Sequence, residues 1–110
     1  MPGPVWLPEV VGDPAGMRAL ASTLRGHAAT VAWIESNCTG TVTSMTFEGP
    51  AATRFRARAE DCAKSLTSAG DELLQLAGTL DRAASDVEAA QAERARKLAE
   101  MAREAEQARA

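Results

Sequence analysis

The sequence predicts an all-α protein, an antiparallel hairpin of two helices with a long second helix, pairing with another hairpin into a four-helix bundle. Three observations predict it. Apolar residues recur at steps of three and four through two long stretches. A break rich in Thr, Ser, Gly and Pro separates them. The hydrophobic share is 45%, but much of it is alanine, aromatics are 4% and Tyr is absent. Alanine favours helix and buries little area, so a single hairpin of this material has a thin core and calls for a partner.

Residues 1–12 are rich in Pro and Gly and read as an extended leader. The leader lacks a basic n-region and a continuous apolar h-region, so it is not a Sec signal peptide. Trp6 lies within it, free to dock on the hairpin or to stand clear. Asp13-Pro14 is a helix start, with Asp at the N-cap and Pro at the first helical position. From there an apolar seam runs through Met17, Leu20, Leu24, His27, Val31, Ile34 and Cys38. Gly16 and Gly26 weaken this helix by up to ~1 kcal/mol each, which packing must offset. The stretch Asn37 to Ser44 is full of residues that compete for backbone hydrogen bonds, and the first helix ends within it.

The turn follows at Phe47-Glu48-Gly49-Pro50, where Gly relaxes the backbone and Pro opens a second helix. The second seam is Phe55, Ala59, Cys62, Leu66, Ala69, Leu73, Leu76, Leu80, Ala83, Val87 and Ala90, a strict heptad pattern. Arg94 falls on that seam and breaks it. The hairpin domain therefore covers residues 13–93, and residues 94–110 form a charged extension of the second helix. Glu93 and Lys97 make a favourable i,i+4 pair there, and Leu98, Met101 and Ala105 keep a faint apolar stripe. From Pro50 to Ala110 such a helix would reach ~90 Å. It stops inside a helical pattern, as a projecting arm or a piece of a longer protein would.

Several function classes fall away. The net charge is −3 with acids and bases interspersed, so no basic stripe exists for nucleic acid. No apolar run approaches the ~20 residues of a membrane span. His27 has no second His or nucleophile beside it and reads as a seam residue. Glu60-Asp61 and Asp71-Glu72 are sequence neighbours that point apart, hence solvated face rather than acid/base pairs. Cys38 and Cys62 read as small buried seam residues. Two Cys and one His cannot complete a four-ligand zinc site alone. A turn near Met45 would leave the two cysteines out of level by ~15 Å of helix, against the ~7 Å a disulfide tolerates between Cα atoms. No cofactor, metal or catalytic site is predicted, and the chain reads as a binding module, not an enzyme. Trp33 lies beside the first seam, either an interface anchor or a cap on the intrachain core.

The stretch Phe47-Glu48-Gly49-Pro50-Ala51-Ala52-Thr53-Arg54-Phe55, set between two heptad helices, resembles the Trp-x-Gly turn of the WXG (ESAT-like) superfamily, small substrates of type VII (ESX) secretion. Phe47 stands where that family has Trp, and Gly49 is its Gly. Gly12-Asp13-Pro14 and Met17-Arg18-Ala19-Leu20 are similar to the first-helix start of actinobacterial members. The likeness spans Asp13 to Gln91. It departs from the family in the tail: the family's export signal needs a Tyr, and this chain has none. The resemblance implies a secreted substrate or co-secreted adaptor, held in the cytoplasm before export by a non-Sec route. Its partner would be another helical-hairpin protein, with a secretion ATPase or an effector domain as further candidates. A targeting or chaperone-like domain of a larger effector, and a cytosolic homo-oligomeric scaffold, are the alternatives. The turn residues are Phe47, Gly49 and Pro50, and the packing and partner faces are assigned to Trp33, Phe55, Leu73, Leu76 and Leu80.

Overall fold

A computed structural model describes residues 7–109; Trp6 and Ala110 lie outside them. The chain folds into two helices packed against each other, α1 (Pro14–Ser44) and α2 (Pro50–Arg109). No strand occurs among the described residues. The molecule is a rod with principal extents of 92 × 18 × 12 Å. With 31 and 60 residues respectively, α1 covers about half the length of α2.

Local chemistry fixes both starts. The Asp13 carboxylate accepts from the backbone N–H of Gly16 at 3.1 Å, and Pro14 occupies the first turn, where a missing N–H costs nothing. Gly49 takes φ +108°, and its carbonyl accepts the first bond of α2 from Thr53 N–H at 3.1 Å. No side chain other than hydrogen adopts that φ cheaply. The hydroxyl-rich end of α1 stays helical through Ser44, and its hydroxyls bond back to carbonyls of the same helix. Thr41 donates to the Asn37 carbonyl at 2.9 Å and Thr43 to that of Thr39 at 2.8 Å.

The core differs in phase from the sequence pattern. The buried hydrophobic residues among those described are all alanines: Ala21, Ala28, Ala52, Ala77 and Ala84. On α1 the seam steps through Met17, Ala21, Leu24, Ala28, Val31 and Glu35. Positions 20, 27 and 34 of the expected seam are exposed beside it. On α2 the seam is Ala59, Ala63, Leu66, Gly70, Leu73, Ala77, Leu80, Ala84, Val87, Gln91 and Arg94, each buried or half-buried. Cys62, Ala69, Leu76 and Ala90 of the expected seam are exposed. Every second rung has moved by one residue, a rotation of about 100° at those positions. The reason is steric. Small residues at alternate rungs (Ala21, Ala28, Gly70, Ala77, Ala84) let the helices pack closely there, with Leu24, Leu66, Leu73 and Leu80 on the rungs between, whereas Leu76 or Ile34 in place of the small residues would hold the helices apart.

Gly70 sets the register between the helices. A Cβ built there would stand 3.8 Å from Val31 Cγ1 and 4.0 Å from the Ala28 carbonyl oxygen. Residues 31 and 70 are centred near Pro50, so the hairpin pivots there and not near Met45. The connection after α1 leaves in extended form, with Met45 at φ −70° and ψ 133°. The first turns of α2 therefore run back alongside the connection before they draw level with α1.

Residues 7–12 of the leader are part of the fold. They carry no regular secondary structure and lie along α2 beyond the start of α1. Gln91 Nε2 donates to the carbonyls of Val10 and Gly12, both at 3.2 Å. Arg94 donates through Nε to Pro8 O at 3.0 Å and through Nη2 to Leu7 O at 3.4 Å. The expectation that Arg94 breaks the seam is thus corrected. At that level the facing element is bare backbone, and a side-chain donor is what it needs. Farther on, the expected pair between Glu93 and Lys97 is present at 3.9 Å, and Arg96 bridges Glu93 and Glu100.

Candidate interaction surface

The two sides of the hairpin differ in chemistry, and two ion pairs fix which flanks share a side. Arg18 donates to both carboxylate oxygens of Glu88, with the Nη2–Oε2 bond at 3.1 Å. Arg25 pairs with Asp81 at 2.5 Å. Hydrogen bonding from Arg18 is the main reason the Glu88 carboxyl is held below the usual carboxylate range, with partial desolvation opposing it. These four residues flank the alanine seam on one side. On the other side, by heptad position, lie Leu20, His27 and Ile34 of α1 and Phe55, Cys62, Ala69, Leu76 and Ala83 of α2. One side of the ribbon is ion-paired and the other is largely apolar.

The apolar side is uncovered. Leu20, Ile34, Phe55 and Leu76 are 40–50% exposed, although each is large enough to have formed the core. Leu73 and Leu80 are half-buried on the seam behind them. Single exposed apolar residues are ordinary, but a row at heptad spacing on one side of a rod is the form of a packing face. Leu74 is an exception, exposed on the ion-paired side. Trp33 stands apart at 67% exposure, about half a turn from the α1 seam. It does not cap the intrachain core, which corrects that part of the expectation.

The turn residues gather at one end. The Phe47 and Phe55 rings meet edge to face, with centroids 5.8 Å apart and planes at 65°. The Arg56 guanidinium carbon lies 5.0 Å from the Phe47 centroid, and Arg56 Nη2 donates to the Phe47 carbonyl at 2.9 Å. Phe47 and Gly49 thus perform distinct tasks: the ring anchors the connection to the second turn of α2, and the glycine reverses the backbone ahead of Pro50.

Between this end and the alanine seam the helices enclose a groove of about 990 Å³, lined by Cys38, Val42, Phe55, Ala59, Cys62 and Leu66 among others. No residue of α1 after Ala28 is buried. Both cysteines are free and exposed, which corrects their reading as buried seam residues. Cys38 does occupy a seam position, but the groove leaves it open.

His27 and the four carboxylates of Glu60-Asp61 and Asp71-Glu72 are exposed. Among the described residues no cluster of His, Cys, Asp and Glu could hold a metal ion, and no helix is long and apolar enough to cross a membrane. Sequence reading missed Gln91 and Arg94 as binders of the leader. Their signal was the switch from apolar to donor residues at two successive seam positions. No family model matches the chain, and no curated protein or solved structure matches it significantly.

Proposed function

We propose that this chain is a protein–protein interaction module whose uncovered apolar flank packs on a second helical hairpin, completing a four-helix bundle. The observation that carries the reading is the inversion of size and burial. Alanine methyls fill the interior while Leu20, Ile34, Phe55 and Leu76 stand half in solvent. A buried methyl contributes only about 0.8 kcal/mol, and the larger seam residues such as Leu24, Leu66, Leu73 and Leu80 are only half-buried, so the core is shallow against the entropy of ordering two long helices. Covering the exposed halves of four large side chains would add an amount comparable to that of the buried alanine methyls together, on the order of 3–6 kcal/mol.

The setting we propose is type VII secretion, with the chain acting as a small exported substrate or as the adaptor of one. The Phe47-Glu48-Gly49 turn supports it, because the aromatic is seated on α2 and the glycine adopts a left-handed φ. The test is co-expression with a WXG-type hairpin protein, in cells with and without the type VII ATPase. The reading predicts a one-to-one complex that reaches the medium only when the ATPase is present. Self-association without that partner, with the chain retained in the cell regardless of the ATPase, would replace this reading with a self-assembling scaffold.

A further inference from the structure

We infer that Cys38 and Cys62 form a modification site, a dithiol that closes to an intrachain disulfide across the open end of the hairpin. The register carries the inference. Val31 meets Gly70, so one heptad nearer the turn Cys38 comes level with Ala63, the neighbour of Cys62. Measured from the pivot at Pro50, the two cysteines lie twelve residues to either side. The ~15 Å mismatch expected from a turn at Met45 therefore vanishes.

Direction agrees with level. Cys38 follows Ile34 by four residues, which sets it on the edge of the seam that borders the apolar flank. Cys62 belongs to that same flank on α2. Both line one groove and both are exposed. Cys62 stands one residue off the facing position Ala63, and the groove between the helices is open here, so closing the bond requires the two helix ends to draw together until the Cα atoms come within ~7 Å. The remaining adjustment is available because α1 buries no side chain after Ala28 and carries Gly40 beyond Cys38.

The chemistry needs a disulfide oxidant, for which oxidised glutathione serves. One cysteine thiolate attacks a glutathione sulfur, and the S–S bond of glutathione breaks to release one glutathione thiolate. The second cysteine thiolate then attacks the protein sulfur of the mixed disulfide and releases the other glutathione. Two protein thiols are oxidised, one glutathione disulfide is reduced, and the two thiol protons end on the released glutathiones. The inference does not depend on the secretion reading.

The full chain is incubated with oxidised glutathione at neutral pH, then alkylated, digested and mapped by mass spectrometry, with helicity followed by circular dichroism. The expected result is a Cys38–Cys62 linked peptide from chain that runs as a covalent monomer on a denaturing, non-reducing gel, loss of both alkylatable thiols and an unchanged helical signal. The single variants Cys38→Ser and Cys62→Ser should each stop at a glutathione adduct on the remaining cysteine. Glutathione retained on both cysteines of the wild type, two thiols left free, links only between chains, or a link made only with loss of helix would each overturn the inference.

Discussion

Gly70 of α2 faces Val31 of α1 across the seam, with space for a methyl group in ordinary contact. A Cβ at 3.8 Å from Val31 Cγ1 is in ordinary contact, and alanine is a better helix former than glycine. Gly70→Ala should therefore stabilise the hairpin by about 0.5–1 kcal/mol. Gly70→Leu should cost about 1–3 kcal/mol by forcing the axes apart. Urea unfolding of the two variants under matched concentrations checks both signs, and destabilisation by alanine would contradict the register.

The neighbours Leu76 and Ala77 should respond in opposite ways. Ala77 is fully buried, so Ala77→Leu overpacks the seam and should cost about 1–3 kcal/mol in the folded hairpin. Leu76 is 50% exposed, so Leu76→Ser should change the isolated hairpin little, by about 0.5 kcal/mol. In the assembled state the same change, combined with Ile34→Ser, should abolish association. Sedimentation beside urea unfolding separates the two effects.

Gln91 and Arg94 hold four carbonyl oxygens of the leader between them. Removing both with Gln91→Ala and Arg94→Ala should free residues 7–12 while leaving the helices intact. Each bond, two of them part-buried, contributes about 0.5–1.5 kcal/mol. The expected outcome is rapid amide exchange and early protease cleavage at Glu9 to Gly12, with the helical signal unchanged.

Acid should loosen the ion-paired side. The Glu88 carboxyl is held low chiefly by its hydrogen bond from Arg18, and that of Glu93 by its bond from Arg96. A carboxyl depressed in the folded state contributes stability that is complete above its unfolded value, about 4.3, and that fades as pH falls through the folded value. Stability should be level from neutral pH to about 5 and decline below about 4. Both partners are exposed, so the effect is modest. Urea midpoints across that range should fall less for Glu88→Gln than for the wild type; parallel curves would remove the pair from the account.

Much of the fold could be read from the residues. Asp13-Pro14 and Gly49-Pro50 carry their own cap chemistry, so both helix starts were legible, as were the two-helix order and the long α2. The phase of the seam was not. Leu76 and Ala77 fit the same heptad period, and size alone favours Leu76 for the core. The choice of Ala77 depends on how closely the opposite helix approaches, which no single helix encodes. The pivot was missed for a similar reason: an extended connection after Met45 moves the midpoint of the hairpin to Pro50 without altering either seam. The role of Arg94 depended on the leader returning to α2, a long-range contact. Phe47 and Gly49 act locally, through an edge-to-face ring contact and a positive φ.

The most direct test of the central claim, that the apolar flank requires a second hairpin, is the solution mass of the purified chain by light scattering, with helicity followed on dilution. The account predicts that the lone chain is not a stable helical monomer. Helicity should fall as the protein is diluted and return when a partner hairpin is added or the concentration is raised. A monomer that stays fully helical at every concentration, with Leu20, Ile34, Phe55 and Leu76 left in solvent, would contradict it.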